Sequence, residues 1–142
     1  MYGSLDISTS GMVAQRVRMA AIAANIAGRE SPIDENGNFA PFRERLVMMA
    51  PGDPQAATAQ GKAMGVHVTQ VVESGAELPL KWDPGNPYAE KSGPNTGYVR
   101  TSNVDLFKQT VDSMDATRSY EANVAAAEAT KAMTAAALRL LA

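Results

Sequence analysis

All 8 prolines and 9 of the 11 glycines of this 142-residue chain fall between Gly28 and Gly97, so that stretch is about 24% Gly plus Pro, while residues 103–142 contain neither. Proline lacks a backbone donor and fixes φ, while glycine weakens a helix through its backbone entropy. A chain broken only in its middle can run as helix at both ends. The fold class expected is therefore α+β, with N- and C-terminal helices forming a coiled-coil core around a small β-rich middle module. The corresponding units are residues 1–27, 28–101 and 102–142.

In the first unit Leu5, Met12, Met19 and Ile26 recur every seven residues, with Ile22 between the last two, which predicts an apolar stripe on a helix over residues 7–27 that stops at Gly28. At the other end Ser102, Asn103, Val104 and Asp105 read as a capping-box-like start, followed by Val104, Phe107, Val111 and Met114 at heptad spacing. Val124, Leu138 and Leu141 extend the same seam. With no breaker after it, this helix could run about 38 residues, roughly 57 Å at about 1.5 Å per residue, which exceeds the width of a domain this small. Such a helix needs neighbours. Asp105 with Lys108, Asp115 with Arg118 and Glu128 with Lys131 stand at i and i+3, as on the solvated face of a coiled coil.

The middle reads as short strands over residues 43–49, 66–72, 78–82 and 97–101, each bounded by Gly, Pro or Asn. Residues 34–38 and 51–65 read as surface loops. Trp82 is the expected anchor of this module's core, and the module is expected to project from the helical core.

Composition agrees with a chain that neighbours must bury. Leu, Ile, Val and Phe total 26 of 142 residues, about 18%, against the roughly 20% below which independent globular character becomes doubtful. Alanine supplies 25 residues, 11 of them among the last 27. A formal charge of -2 provides no electrostatic footprint for nucleic acid. No segment reaches the length of apolar membrane span, and no basic residue precedes an apolar run near the N-terminus, so neither a direct membrane span nor a cleaved signal peptide is expected.

Chemistry is not signalled. Cysteine is absent, which excludes disulfides and thiol chemistry, and His67 is the single histidine, set between Val66 and Val68 on the polar side of a strand. Asp34 and Glu35 could be drawn as paired carboxylates, but beside Gly37 they read as residues solvating a turn. The cluster Gly93-Pro94-Asn95-Thr96-Gly97 has no Lys-Ser/Thr sequel and so is a turn rather than a phosphate loop. Met12, Met19, Met114 and Met133 suit helix seams better than a metal site. No catalytic, cofactor-binding or metal-ligating residue is expected, and the chain is expected not to be an enzyme.

Residues 7–19 (Ile-Ser-Thr-Ser-Gly-Met-Val-Ala-Gln-Arg-Val-Arg-Met) and Ala24-Asn25-Ile26-Ala27 resemble the N-terminal signature of the bacterial flagellar rod and hook axial protein family. The likeness continues through Asp83-Pro84-Gly85-Asn86-Pro87, Gly97-Tyr98-Val99, Ser102-Asn103-Val104, Arg118-Ser119-Tyr120-Glu121-Ala122-Asn123 and Thr130-Lys131-Ala132-Met133, and the length is that of the short, proximal-rod members. Ser10, Gly11, Gln15, Arg16, Asn25, Tyr120, Glu121 and Asn123 are the motif positions. The chain departs from the usual family pattern at Gly28, Asn86 and Ser102.

The resemblance implies a structural subunit of the flagellar basal-body rod, the hollow drive shaft in the periplasm that transmits torque. It would assemble with copies of itself and with other rod proteins, and pass through the flagellar export apparatus without a cleaved signal peptide. No cofactor is implied. A soluble coiled-coil adaptor, an export chaperone or a sibling rod subunit are the alternatives, since they too would present long helices on a thin core.

Overall fold

The computed structural model describes residues 2–34 and 36–141, with backbone alone at Tyr2 and Leu141; Glu35, and with it the Asp34/Glu35 pair considered above, lies outside the described residues. The element order is α1 (Tyr2–Gly28), β1 (Arg45–Pro51), α2 (Ala59–Met64), β2 (Val66–Glu73), β3 (Leu80–Trp82), β4 (Tyr98–Arg100) and α3 (Leu106–Leu141). Two helices flank a middle of two separate antiparallel ribbons, β1 with β2 and β3 with β4. The mixed α+β class expected from the breaker distribution is the one observed.

Several boundaries move. Helix α1 begins at Tyr2 rather than near Ile7, since no residue before Ile7 interrupts it and its first turns pack on α2. It does end at Gly28, but not through a left-handed cap, because Gly28 is absent from the positive-φ positions. A Cβ there would stand 2.5 Å from Cδ2 of Phe42, so the Phe42 ring is what demands glycine. At the other end residues 102–105 are not helical. The Asp105 carboxylate accepts from the Phe107 N–H at 2.9 Å, and the Asp105 carbonyl takes the first helical bond, from Gln109 N–H at 3.0 Å. Asp105 therefore does the capping that the sequence suggested for Ser102.

The 51–65 segment, expected as a loop, contains α2. Thr58 caps it, its hydroxyl accepting from Gly61 N–H at 3.1 Å while donating to Asp6 of α1 at 2.7 Å. That tie reaches across the sequence, which is why local reading misses the helix.

Isolated two-stranded ribbons are marginal in water, so each must lean on something. Ribbon β1–β2, bulged between Met48 and Met49, lies along α1. Ser10 stitches it there, its hydroxyl donating to Ile7 C=O at 2.7 Å and accepting from Val66 N–H at 3.1 Å. This part of the middle does not project from the helices, contrary to expectation. Ribbon β3–β4 leans on its own connecting loop, Glu90 N–H donating to Tyr98 C=O at 3.0 Å and Gly97 N–H to Glu90 C=O at 2.9 Å, with Trp82 edge-on to Tyr98, centroids 5.0 Å apart, and Phe39 stacked on Tyr88 at 4.8 Å. Trp82 remains 60% exposed, so it is a surface lid over Gly97 rather than the core anchor expected.

Candidate assembly interface

Helices α1 and α3 pack along their length, and the residues between them are small or polar. On α1 the inward positions are Gly11, Ala14, Arg18, Ala21 and Asn25, spaced 3, 4, 3 and 4. On α3, Gln109, Ser113, Ala116, Tyr120, Asn123, Ala127 and Thr130 follow the same alternation over the length of α1. Ala14 and Ala116 are 1% and 0% exposed. This is a heptad seam, but not the one drawn from the large apolar residues.

Small side chains let the backbones approach. A Cβ on Gly11 would fall 2.8–2.9 Å from the side-chain atoms of Asn123, so Gly11→Leu would have to part the helices. Overpacking of this kind costs about 2 kcal/mol, more than the roughly 1 kcal/mol that the better helix former returns. Urea unfolding should show the net loss, and Asn123→Ala in the same chain should recover part of it; independent, additive effects would contradict a shared contact.

The polar positions carry specificity. Asn25, 1% exposed, treats the Arg45 backbone as a strand partner would: its Oδ1 accepts from Arg45 N–H at 2.8 Å and its Nδ2 donates to Arg45 C=O at 3.0 Å. The same Nδ2 donates to Gln109 Oε1 at 3.0 Å. Gln109 Nε2 in turn donates to Glu44 Oε1 at 2.8 Å, where the Lys108 ammonium also donates at 2.8 Å. Asn103 Oδ1 completes the cluster by accepting from Glu44 N–H at 2.8 Å. One buried node thus joins α1, the start of β1 and the start of α3. The hydrogen bond to Glu44 holds Lys108 above the ordinary lysine range. A raised folded-state value stabilises at every pH below that range and is lost only as pH climbs through it, so this pair imposes no pH dependence near neutrality. Two turns further along the pair, Arg18 bridges Asp112 at 2.8 Å.

Of the charges at i and i+3 along α3, Lys108 turns to Glu44, while Asp115, Arg118, Glu128 and Lys131 are exposed, as on the solvated face expected.

The large apolar residues named from the sequence lie mostly outside the seam. Ile22 and Val104 are buried, and Leu5, Met12, Met19 and Val124 are half-buried. Ile26, Phe107, Val111, Met114 and Leu138 are exposed by 41%, 79%, 44%, 57% and 62%, and the Leu141 side chain lies outside the described residues. Of the motif positions, Ser10, Gly11, Asn25 and Asn123 belong to the contacts above, and Tyr120 is half-buried on the inward stripe. Gln15 is half-buried with its Oε1 unpartnered, and Arg16 and Glu121 are exposed. Sequence reading missed Gln109, Glu44, Arg18 and Asp112. The signal for the seam is the heptad of small residues in α3, which runs beside a stripe of large side chains of the same period. His67 Nδ1 meets Gly52 C=O at 2.5 Å, a structural tie.

The two helices thus hide alanine and asparagine while presenting phenylalanine, methionine and leucine. The chain is 35% identical to flagellar basal-body rod protein FlgC of Bacillus subtilis (strain 168), over 98% of this chain and 97% of that one. It is 31% identical to FlgC of Borreliella burgdorferi over 99% and 97%, and 36% identical to FlgC of Salmonella typhimurium over 90% and 88%. This chain belongs to the FlgC family. The family described as flagellar basal body rod FlgEFG protein C-terminal also matches, over residues 95–140, which cover β4 and nearly all of α3. As a FlgC family member it is a structural subunit of the bacterial flagellar basal-body rod, a component of the motility machinery, and the adaptor and chaperone alternatives are not favoured. No helix among the described residues is long and apolar enough to cross a membrane.

Proposed function

We propose that this chain polymerises with further copies of itself and with other rod proteins into the wall of a hollow shaft that transmits torque and through which export continues. The observation that carries this reading is the inversion of the helix pair: Phe107, Met114, Leu138 and Leu140 are 79%, 57%, 62% and 88% exposed while Ala14, Ala116 and Asn25 are buried. Burying a large apolar side chain is worth about 1.5–3 kcal/mol, and here that gain is left for neighbours to supply. Leu5, Met12, Met19, Ile22, Ile26, Val104, Phe107, Val111, Met114, Val124, Leu138 and Leu141 are the proposed assembly residues, the exposed ones facing other subunits. Residues 28–101 would supply contacts particular to one position in the rod. The work is mechanical, not catalytic.

Passage through the flagellar export apparatus without a cleaved signal, and a final place in the periplasmic rod, follow from likeness to rod proteins. Expression of a tagged copy in a strain deleted for its own gene tests the whole reading. The protein should co-purify with intact basal bodies and restore swimming; a subunit that stays cytosolic while the cells remain non-motile would overturn it.

A further inference from the structure

Among the asparagines of the chain only Asn36 and Asn38 are exposed, and only Asn36 precedes a glycine. An asparagine followed by glycine sets an electrophile beside a nucleophile. The side-chain amide carbon Cγ and the next backbone nitrogen can close a five-membered ring when no side chain obstructs the approach. Asn38 precedes Phe39, whose ring stacks on Tyr88, so the nitrogen that follows it is hindered. At Gly37 the space is open, since a Cβ built there would meet nothing within 4 Å. Gly37 also holds φ at 82°, where residues with a Cβ are strained, so the turn itself calls for the glycine that makes the pair reactive.

Asp34 draws this turn together. Its Oδ1 accepts from Asn36 N–H at 2.9 Å and from Asn38 N–H at 2.8 Å. Its own N–H donates to Asn38 C=O at 3.0 Å, and its C=O accepts from Gly37 N–H at 3.1 Å. That last bond occupies the nucleophile, so the turn must open before the nitrogen can attack. We propose that Asn36 is a site of spontaneous deamidation whose rate is set by opening of the Asp34 turn. The Gly37 nitrogen attacks Asn36 Cγ, a new N–Cγ bond forms as the Cγ–Nδ2 bond breaks, and the side-chain nitrogen leaves as ammonia with the proton that Gly37 has lost. One water then opens the succinimide at either carbonyl, leaving aspartate or isoaspartate at position 36.

The product differs from the parent where the loop is held. The hydrogen bond from Asn38 N–H, aided by that from Asn36, keeps the Asp34 carboxyl below the ordinary aspartate range. Asp34 is therefore ionised at neutral pH, and conversion puts a second negative charge into the same turn. Isoaspartate also adds a methylene to the main chain between Ile33 and Phe39, which are bridged. Phe39 carries the stack on Tyr88, so conversion loosens the tie between this loop and the segment leading into β4.

Ageing of the purified full chain at mildly alkaline pH tests this. Trypsin releases residues 30–43 as one peptide, which should gain about one dalton at position 36 and not at 38, with isoaspartate detected by isoaspartyl methylation. The gain should quicken as pH rises, because the attacking nitrogen must lose its proton. Asp34→Ala, or urea, should speed it severalfold by freeing Gly37 N–H. Gly37→Ala, compared with the parent in urea, where strain in the turn plays no part, should slow it by at least about tenfold. A peptide left unchanged while other asparagines convert, or a rate indifferent to Gly37→Ala, overturns the site. A rate unchanged by both Asp34→Ala and urea overturns the control assigned to the Asp34 turn.

Discussion

Asn25→Leu should destabilise the chain by about 3–4 kcal/mol, the largest single-residue effect expected outside the helix backbones. Leucine is larger than asparagine, so the loss is not a cavity. It removes both bonds to the Arg45 backbone and the bond to Gln109, leaving one buried and two part-buried polar groups without partners, at about 1–3 kcal/mol for the buried one and less for the others. Urea unfolding of the purified subunit reads the change directly, and amide exchange should rise first at Arg45 and across β1. Asn36→Leu, in an exposed loop, is the matched control and should stay within about 0.5 kcal/mol of the parent. A midpoint for Asn25→Leu equal to that of the control would mean that the polar node does not bind the hairpin to the helices.

The second large effect separates assembly from folding. Proline at Ala126 removes one backbone hydrogen bond and collides with the Ala122 carbonyl, at a local cost of about 3 kcal/mol and with a kink. Ala126 is exposed, so its side chain contributes little, and Ala126→Ser should swim. The kink falls 17 residues beyond Gln109, about 25 Å along the axis from the node that holds β1. Ala126→Pro should therefore abolish incorporation into the rod and motility, while the thermal transition of the β1–β2 region stays within a few degrees of the parent. Normal assembly of the proline variant would remove α3 from the polymerisation surface. Loss of the β-ribbon transition would show that the helix end supports the middle of the chain instead.

Much of this architecture was legible beforehand because it is written in local terms. Runs without proline became α1 and α3, and short segments between turn residues became strands within two residues of the expected ends. Where the reading failed, the deciding partner was distant in sequence. Helix α2 exists because Asp6 receives Thr58 across 52 residues. The start of α3 moved to Asp105 because Asn103, read as part of a cap, is spent instead on the Glu44 N–H. The middle did not stand clear of the helices because Ser10 and Asn25 bind its backbone.

The assembly surface divides the same way. Sequence alone determined that this chain has two unbroken helices, few large apolar residues to stabilise them, and heptad positions on both. It could not determine which heptad faces inward, because two stripes with the same period coexist on each helix, one of large apolar side chains and one of glycine, alanine and small polar residues. Tertiary structure chose the small stripe. Close backbone approach at Gly11, and a fully satisfied node at Asn25, Gln109 and Glu44, are available only to residues of that size and polarity. Placing the small stripe inside leaves Phe107, Val111 and Met114 outside, exposed by 79%, 44% and 57%.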